Sequence, residues 1–159
     1  MSSHSSQDRE RCVTLHAVTS DNWRDVAALQ VTESQQAFVA EPSYYLALCC
    51  YGDDWRPLAI STDGRVIGFM MWAVDETDGS CWLGGILIDQ AYQRQGYGRQ
   101  AVRAAIVTLS EADGYEDFAL SYHPSNAAAR HLYETLGFEE TGEWEGDEIV
   151  ARLTVEHLT

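Results

Sequence analysis

Lysine is absent from this chain: all ten basic residues are arginine, and against 25 acidic side chains they leave a formal net charge of −15. So acidic a protein repels phosphate backbones, which argues against nucleic acid and fits either a small cationic substrate or a salt-rich cytoplasm. Long apolar runs are missing too. No stretch approaches the roughly 18 to 20 residues of a membrane-spanning helix, and Met1 to Arg11 lack the apolar run of a signal peptide. No membrane partner is expected, and the chain reads as soluble and cytoplasmic. The four cysteines, Cys12, Cys49, Cys50 and Cys81, form no C-x-x-C pair, so they read as small apolar residues in a reducing compartment. His4, His16, His123, His131 and His157 are scattered without H-E-x-x-H or similar spacing, and no metal is expected.

What is present is enough for one core: 159 residues, 45% hydrophobic and 11% aromatic. Residues 1–11, rich in Ser and charge, read as a disordered leader, and 12–159 as a single domain. Val13, Leu15 and Ala17 alternate as a strand, after which Ser20 or Asp21 is expected to cap a helix running through Val26 to Leu29. A second helix is expected from Pro42 or Ser43 through Cys50. Three apolar runs, around Leu58 to Ile60, Val66 to Trp72 and Trp82 to Ile88, are separated by Asp63-Gly64 and Asp78-Gly79, which predicts an antiparallel meander. After Gly98 the period becomes helical, with Val102, Ala105, Ile106 and Leu109 on one face and Gly114 as its stop. A strand Phe118 to Tyr122, a helix from Ser125 or Asn126 to a left-handed cap at Gly137, and two strands within Phe138 to Leu153 complete an α+β or mixed-sheet pattern.

The segment Gln93-Arg94-Gln95-Gly96-Tyr97-Gly98 falls between the strand ending at Ile88 and this long helix. Backbone N–H groups at a helix N-terminus make an anion site, and Gly96 and Gly98 are expected to let the backbone approach a phosphate and take unusual dihedral angles. Arg94, Arg99 and Arg103 form a local basic exception in the acidic chain. A G-x-G before a helix is by itself also an ordinary tight turn.

The run Ile86 to Gly98 resembles the acetyl-CoA signature Q/R-x-x-G-x-G/A of the GNAT N-acetyltransferase superfamily, and His123 to Phe138 resembles its second signature, N-x-x-A-x-x-L-Y-x-x-x-G-F. The order and spacing match, over roughly residues 12–153. The resemblance implies an α+β (mixed α/β) fold with a central, mostly antiparallel twisted sheet of about six or seven strands and about four flanking helices. It implies acetyl-CoA as co-substrate: Ile86, Leu87 and Ile88 pair with the pantetheine arm, Gln93, Arg94, Gln95, Gly96, Tyr97, Gly98 and Arg99 hold the pyrophosphate, and Asn126, Arg130 and Tyr133 line the far side of the thioester. Many members form dimers, so a homodimer is a further expectation.

The chemistry needs an amine stripped of its proton, an oxyanion held by N–H groups near Leu87 and Ile88, and a proton donor for the leaving thiolate, for which Tyr133 is the candidate. From the residues alone Tyr133 also reads as a core aromatic and Asn126 as a plain helix cap. The chain departs from the family at the base: Trp82 stands where many members place a glutamate. Glu33, Asp75, Glu76 or Glu148 could replace it, although each also reads as solvated surface.

Looser likenesses, at Leu29 to Ala40, Arg56 to Ile60 and Glu140 to Val150, resemble the bacterial spermine/spermidine acetyltransferase-like branch. They imply a small cationic amine, with Glu33 and Glu148 as candidates for holding it or acting as base. Gly84 and Gly85 stand where branch members can carry bulky or basic residues, so a changed pocket is foreseen there. His123-Pro124-Ser125-Asn126 also resembles acetyltransferases of protein N-termini, and a non-catalytic acyl-CoA sensor is the alternative outside enzymes.

Overall fold

The computed structural model describes residues 12–52 and 54–155; the expected leader lies outside the described residues. The strands are β1 (Thr14–Ala17), β2 (Arg56–Thr62), β3 (Arg65–Asp75), β4 (Ser80–Ile88), β5 (Asp117–Tyr122), β6 (Glu139–Glu145) and β7 (Glu148–Thr154). The helices are α1 (Trp23–Ala27), α2 (Pro42–Tyr51), α3 (Tyr97–Asp113) and α4 (Ala127–Leu136), with 3-10 turns at Glu33–Gln35 and Gln90–Tyr92. All seven strands form one mixed sheet in the order β1-β2-β3-β4-β5-β7-β6. Only β4 and β5 run parallel.

The Asp-Gly pairs turn the meander as their chemistry predicts. Asp63 and Gly64 both take positive φ, 51° and 74°, the pattern of a two-residue hairpin loop. At Asp78-Gly79 the glycine takes φ 75°, and Asp78 Oδ1 accepts hydrogen bonds from the Ser80 N–H and hydroxyl. The long helix ends at Gly114 (φ 78°) and α4 at Gly137 (φ 105°), both left-handed. The first helix is shorter than its pattern implied. Asn22, not Ser20 or Asp21, stands at its N-cap, and it stops at Ala27. There the Gln30 N–H is drawn to Asp89 Oδ1, 2.9 Å away, while Leu29 turns into the core, 5% exposed.

Helices cover both faces of the sheet. On one, Ala101, Val102, Ala105, Ile106 and Leu109 of α3 and Tyr133 of α4 pack with Ile67, Met70, Leu83, Phe118 and Leu120. On the other, Val26 and Leu29 meet Ala59, Phe69, Met71 and Leu87, with Tyr45 and Leu46 of α2 packed against them. The two clusters share β3 because successive side chains point to opposite faces, and the β2–β3 register shift between Ile60 and Ser61, opposite Ile67, changes the phase of that alternation. Gly68 belongs there, since a Cβ on it would lie 2.6 Å from the Leu87 carbonyl oxygen.

The outer edge is β6, exposed along its length and carrying Glu139, Glu140, Glu143 and Glu145, charges that discourage strand addition. Arg152 of β7 ties this edge to the β3–β4 turn. Its Nε and one terminal nitrogen bond the two oxygens of Glu143 at 2.8 and 3.1 Å, and its other terminal nitrogen reaches Asp78 at 3.3 Å. Glu143 is held below the ordinary carboxylate range, chiefly by its hydrogen bond from Arg152. A folded-state pKa below the unfolded one stabilises above the ordinary range, and that stability is lost as pH falls through the depressed value. Glu143→Gln should therefore lower Tm at pH 7, and the gap from the native protein should close as pH is lowered through the acid range; no gap at pH 7, or one independent of pH, would show that the ionised carboxylate contributes nothing.

Candidate active site

Strand β4 pairs with β3 from Asp75↔Ser80 to Gly68↔Ile88, with a register shift between Phe69 and Met71. Gly85 lies in the bulge at φ 57°. A Cβ there would come within 3.3 Å of Met71 Cε and Phe69 Cε2, so the dihedral favours glycine and the space beside it is tight. On its other side β4 pairs with β5 only at Cys81↔Phe118 and Trp82↔Ala119. From Leu83 to Ile88 the two strands part, leaving a free β4 edge along a cleft of about 1540 Å³.

At one end of the cleft Asp89 caps the turn Gln90–Tyr92 by accepting from the Ala91 N–H. Gln93 Nε2 donates to the Ile88 carbonyl at 2.8 Å and to Gln35 Oε1 at 2.6 Å, pinning the segment before α2 to the end of β4. Arg94 (φ 64°) and Gly96 (φ 83°) then take left-handed conformations and α3 begins at Tyr97. The first-turn N–H groups of α3 have no intrahelical acceptors, and no acidic residue stands in that turn. Arg94 and Arg99 line the cleft, whereas Gln95 and Arg103 do not. The expectation for Gly98 is corrected: it is helical, and the second left-handed residue is Arg94, not Gly98.

The opposite wall is built by β5, α4 and β7. Asn126 accepts from the Ala129 N–H at 3.2 Å, capping α4, and also lines the cleft. Tyr133 is 8% exposed. Its ring stacks on Tyr122 at 5.7 Å and meets Phe138 edge-on at 6.0 Å. Burial, followed by the Glu148 charge, pushes its phenol well above the ordinary tyrosine range, so the hydroxyl is protonated at neutral pH. The hydroxyls of Tyr45 and Tyr122 are committed, one accepting from the Ala40 N–H and the other donating to Glu140. Among the described residues Tyr133 Oη has no hydrogen-bond partner. Glu148 stands beside it on the cleft, its Oε1 accepting from the Ser121 hydroxyl at 2.8 Å.

Besides Gln95, two further expected site residues lie off this cleft. Arg130 is off the cleft because its Nε bonds Glu140 Oε2 at 2.9 Å. Glu33 is exposed in a separate depression beside Glu41 and Gln36. The remaining expected residues Ile86, Leu87, Ile88, Gln93, Arg94, Gly96, Tyr97, Gly98, Arg99, Asn126, Tyr133 and Glu148 all line the one cleft. Trp82 lines it too, its indole N–H donating to Ser80 Oγ at 3.1 Å.

Sequence reasoning missed Asp54, Glu145, Trp55 and His123 in this lining. Gly84 makes room for the Trp55 indole, which a Cβ would approach to 3.1 Å. His123 Nδ1 accepts from the Ser125 N–H at 3.1 Å, which puts the proton of the neutral ring on Nε2 and leaves that atom a donor rather than a base. Apart from the adjacent Asp54 and Trp55, no sequence spacing links these residues; the fold brings them together.

The family model described as "Acetyltransferase (GNAT) family" matches residues 23–138. The chain is 26% identical over 148 residues to spermine/spermidine N(1)-acetyltransferase of Bacillus subtilis, covering 88% of this chain and 97% of that one. It is 35% identical over 89 residues to the [ribosomal protein bS18]-alanine N-acetyltransferase of Escherichia coli, covering 56% and 58% of the two chains. The fold superposes with a TM-score of 0.69 on spermidine N-acetyltransferase from Vibrio cholerae in complex with CoA and spermine, at 18% identity over 88% of this chain and 92% of that one.

The two loop glycines make opposite predictions for the ligand-free protein. Gly96→Ala forces a side chain into the left-handed region and should cost about 1–2 kcal/mol in denaturant unfolding. Gly98→Ala, helical and with its nearest contact at 3.7 Å, should leave stability unchanged or raise it by up to about 1 kcal/mol. The reverse order would refute this loop geometry.

Proposed function

This chain belongs to the acetyltransferase (GNAT) family, and we propose that it transfers the acetyl group of acetyl-CoA to a primary amine on a small cationic molecule, a polyamine first, by direct attack in a ternary complex. The observation that carries this reading is the division of charge along one cleft. Arg94, Arg99 and the α3 N-terminus make one end positive, while Asp54, Asp75, Glu145 and Glu148 supply the carboxylates of the same lining. Asp75 faces Ser80, at the opposite end of β4 from Ile88 and the loop, a span of about 25 Å at ordinary strand rise. A polyanionic donor and a cationic acceptor thus have separate places in one cavity.

In this reading the free edge at Ile86, Leu87 and Ile88 receives the pantetheine amides, and the loop N–H groups with Arg94 and Arg99 receive the pyrophosphate. Gln93 and Asn126 shape that site while their amides hold the protein together. Gln95 and Arg130 do not line the cleft, and no side-chain contact with the donor is assigned to them.

An alkylammonium has a pKa near 10, so presenting it neutral at pH 7 costs about 4 kcal/mol unless the site removes the proton. Glu148, with Oε2 uncommitted, takes that proton directly or through water. The amine nitrogen attacks the thioester carbon, N–H groups near Leu87 and Ile88 hold the oxyanion, and the C–S bond breaks as Tyr133 Oη protonates the sulfur. The ammonium gives up two protons in all. One replaces the Tyr133 proton by way of Glu148, and the other leaves to solvent.

A second acceptor class, the N-terminal amine of a protein, is favoured by the likeness to the bS18-alanine acetyltransferase. Free CoA release should be measured with spermidine, spermine, aminoglycosides, amino acids and N-terminal peptides. Turnover confined to polyamines is the expected result; turnover confined to peptides would replace this acceptor, and tight CoA binding with no turnover on any amine would indicate a sensor. Tyr133→Phe should lower kcat about tenfold or more while acetyl-CoA binding persists; an unchanged kcat would remove Tyr133 from the mechanism.

A further inference from the structure

Arg130 and Glu140 form an ion pair outside the cleft, and its geometry leads back to the reacting centre. A single oxygen, Glu140 Oε2, accepts from Arg130 Nε at 2.9 Å and from Tyr122 Oη at 2.8 Å. Arg130 lies on α4 three residues before Tyr133, so the two share one side of that helix. Tyr122, the last residue of β5, is 4% exposed, and its ring stacks on that of Tyr133 with 29° between the planes. The carboxylate comes from a third element, the edge strand β6.

We propose that Glu140, with Arg130, is a positioning residue: it clamps α4 to β5 through Tyr122 and thereby sets where the Tyr133 hydroxyl stands over the cleft. This inference rests on the role given above to Tyr133 as proton donor. Three observations converge on it. Sharing one acceptor oxygen fixes the Arg130 and Tyr122 side chains relative to each other, because neither can move without giving up a charge-assisted hydrogen bond. The Tyr122 hydroxyl, although its residue lines the cleft, is turned to Glu140, so Tyr122 supplies Tyr133 with a ring surface and no proton. Tyr133 is therefore held by packing alone, against Tyr122 on one side and Phe138 on another. Its hydroxyl has no hydrogen-bond partner among the described residues that could hold it in place. A misplacement of about 1 Å between reacting groups can cost on the order of a hundredfold in rate, so a packed donor depends on whatever locates its packing partner.

The test is a double-mutant cycle on the full chain, with steady-state kinetics in acetyl-CoA and the best amine of the panel. Glu140→Ala should lower kcat about three- to tenfold and leave KM for acetyl-CoA within about twofold. In the Tyr133→Phe background the same substitution should cause no further loss, a result that general destabilisation would not produce. Glu140 and Arg130 side chains are 34% and 37% exposed, so both sites tolerate replacement, and Arg130→Gln should repeat the pattern if Glu140→Ala fails to fold. Losses that multiply in the double variant, or an unchanged kcat in Glu140→Ala, would overturn the clamp while leaving the catalytic reading standing. An unchanged kcat in Tyr133→Phe alone would overturn both.

Discussion

The parting of β4 from β5 is the constraint on which the site depends. Two parallel pairs, at Cys81 and Trp82, hold the strands together before they diverge, and the Gly85 bulge bends β4 on its β3 side. Backbone N–H and C=O groups left without a strand neighbour are a cost to a buried sheet and an opportunity for a ligand with amides of its own. The same divergence opens the cleft and exposes the N-terminus of α3 to it. A β4 that stayed paired with β5 to Ile88 would have no cavity between the loop and Tyr133.

The arginines are divided between the two tasks of this acidic chain. Arg130 and Arg152 are engaged by Glu140, Glu143 and Asp78 and secure the β6 edge. Arg94 and Arg99 make no ion pair among the described residues, and both face the cleft. Arg99 donates to the Thr135 carbonyl at 3.2 Å, which orients it without neutralising it. The net charge of −15 therefore conceals a locally positive end to the cavity, where field focusing acts on an anionic ligand.

Much of the fold was legible in the sequence because its signals are local. The Asp63-Gly64 and Asp78-Gly79 turns, the glycine stops at 114 and 137, and the apolar face of α3 each follow from a dihedral preference or a period that a few residues express. The failures are equally specific. The first helix ended early where the Gln30 N–H, next to its own pattern, found Asp89, 59 residues away in the sequence. Arg130 shares a helix side with Tyr133, yet its long side chain swings out to Glu140. Glu33 is a carboxylate in a suitable segment, but the 3-10 turn at Glu33–Gln35 leaves it outside the cleft.

By itself the sequence determined the kinds and order of the elements, the turn positions and the loop between β4 and α3, since these depend on neighbours within a turn or two. Only the tertiary structure decided which acidic groups share that cavity. Asp54, Asp75 and the Glu145–Glu148 pair, whose members face each other across the β6–β7 turn, come from three segments that meet through strand order and register, which no short spacing encodes. It also separated three of the five tyrosines that line the cleft: Tyr45 and Tyr122 have their hydroxyls committed to partners, and Tyr133 does not. That distinction rests on hydrogen bonds from the Ala40 N–H, five residues from Tyr45, and to Glu140, eighteen residues from Tyr122, while the residue types alone are identical.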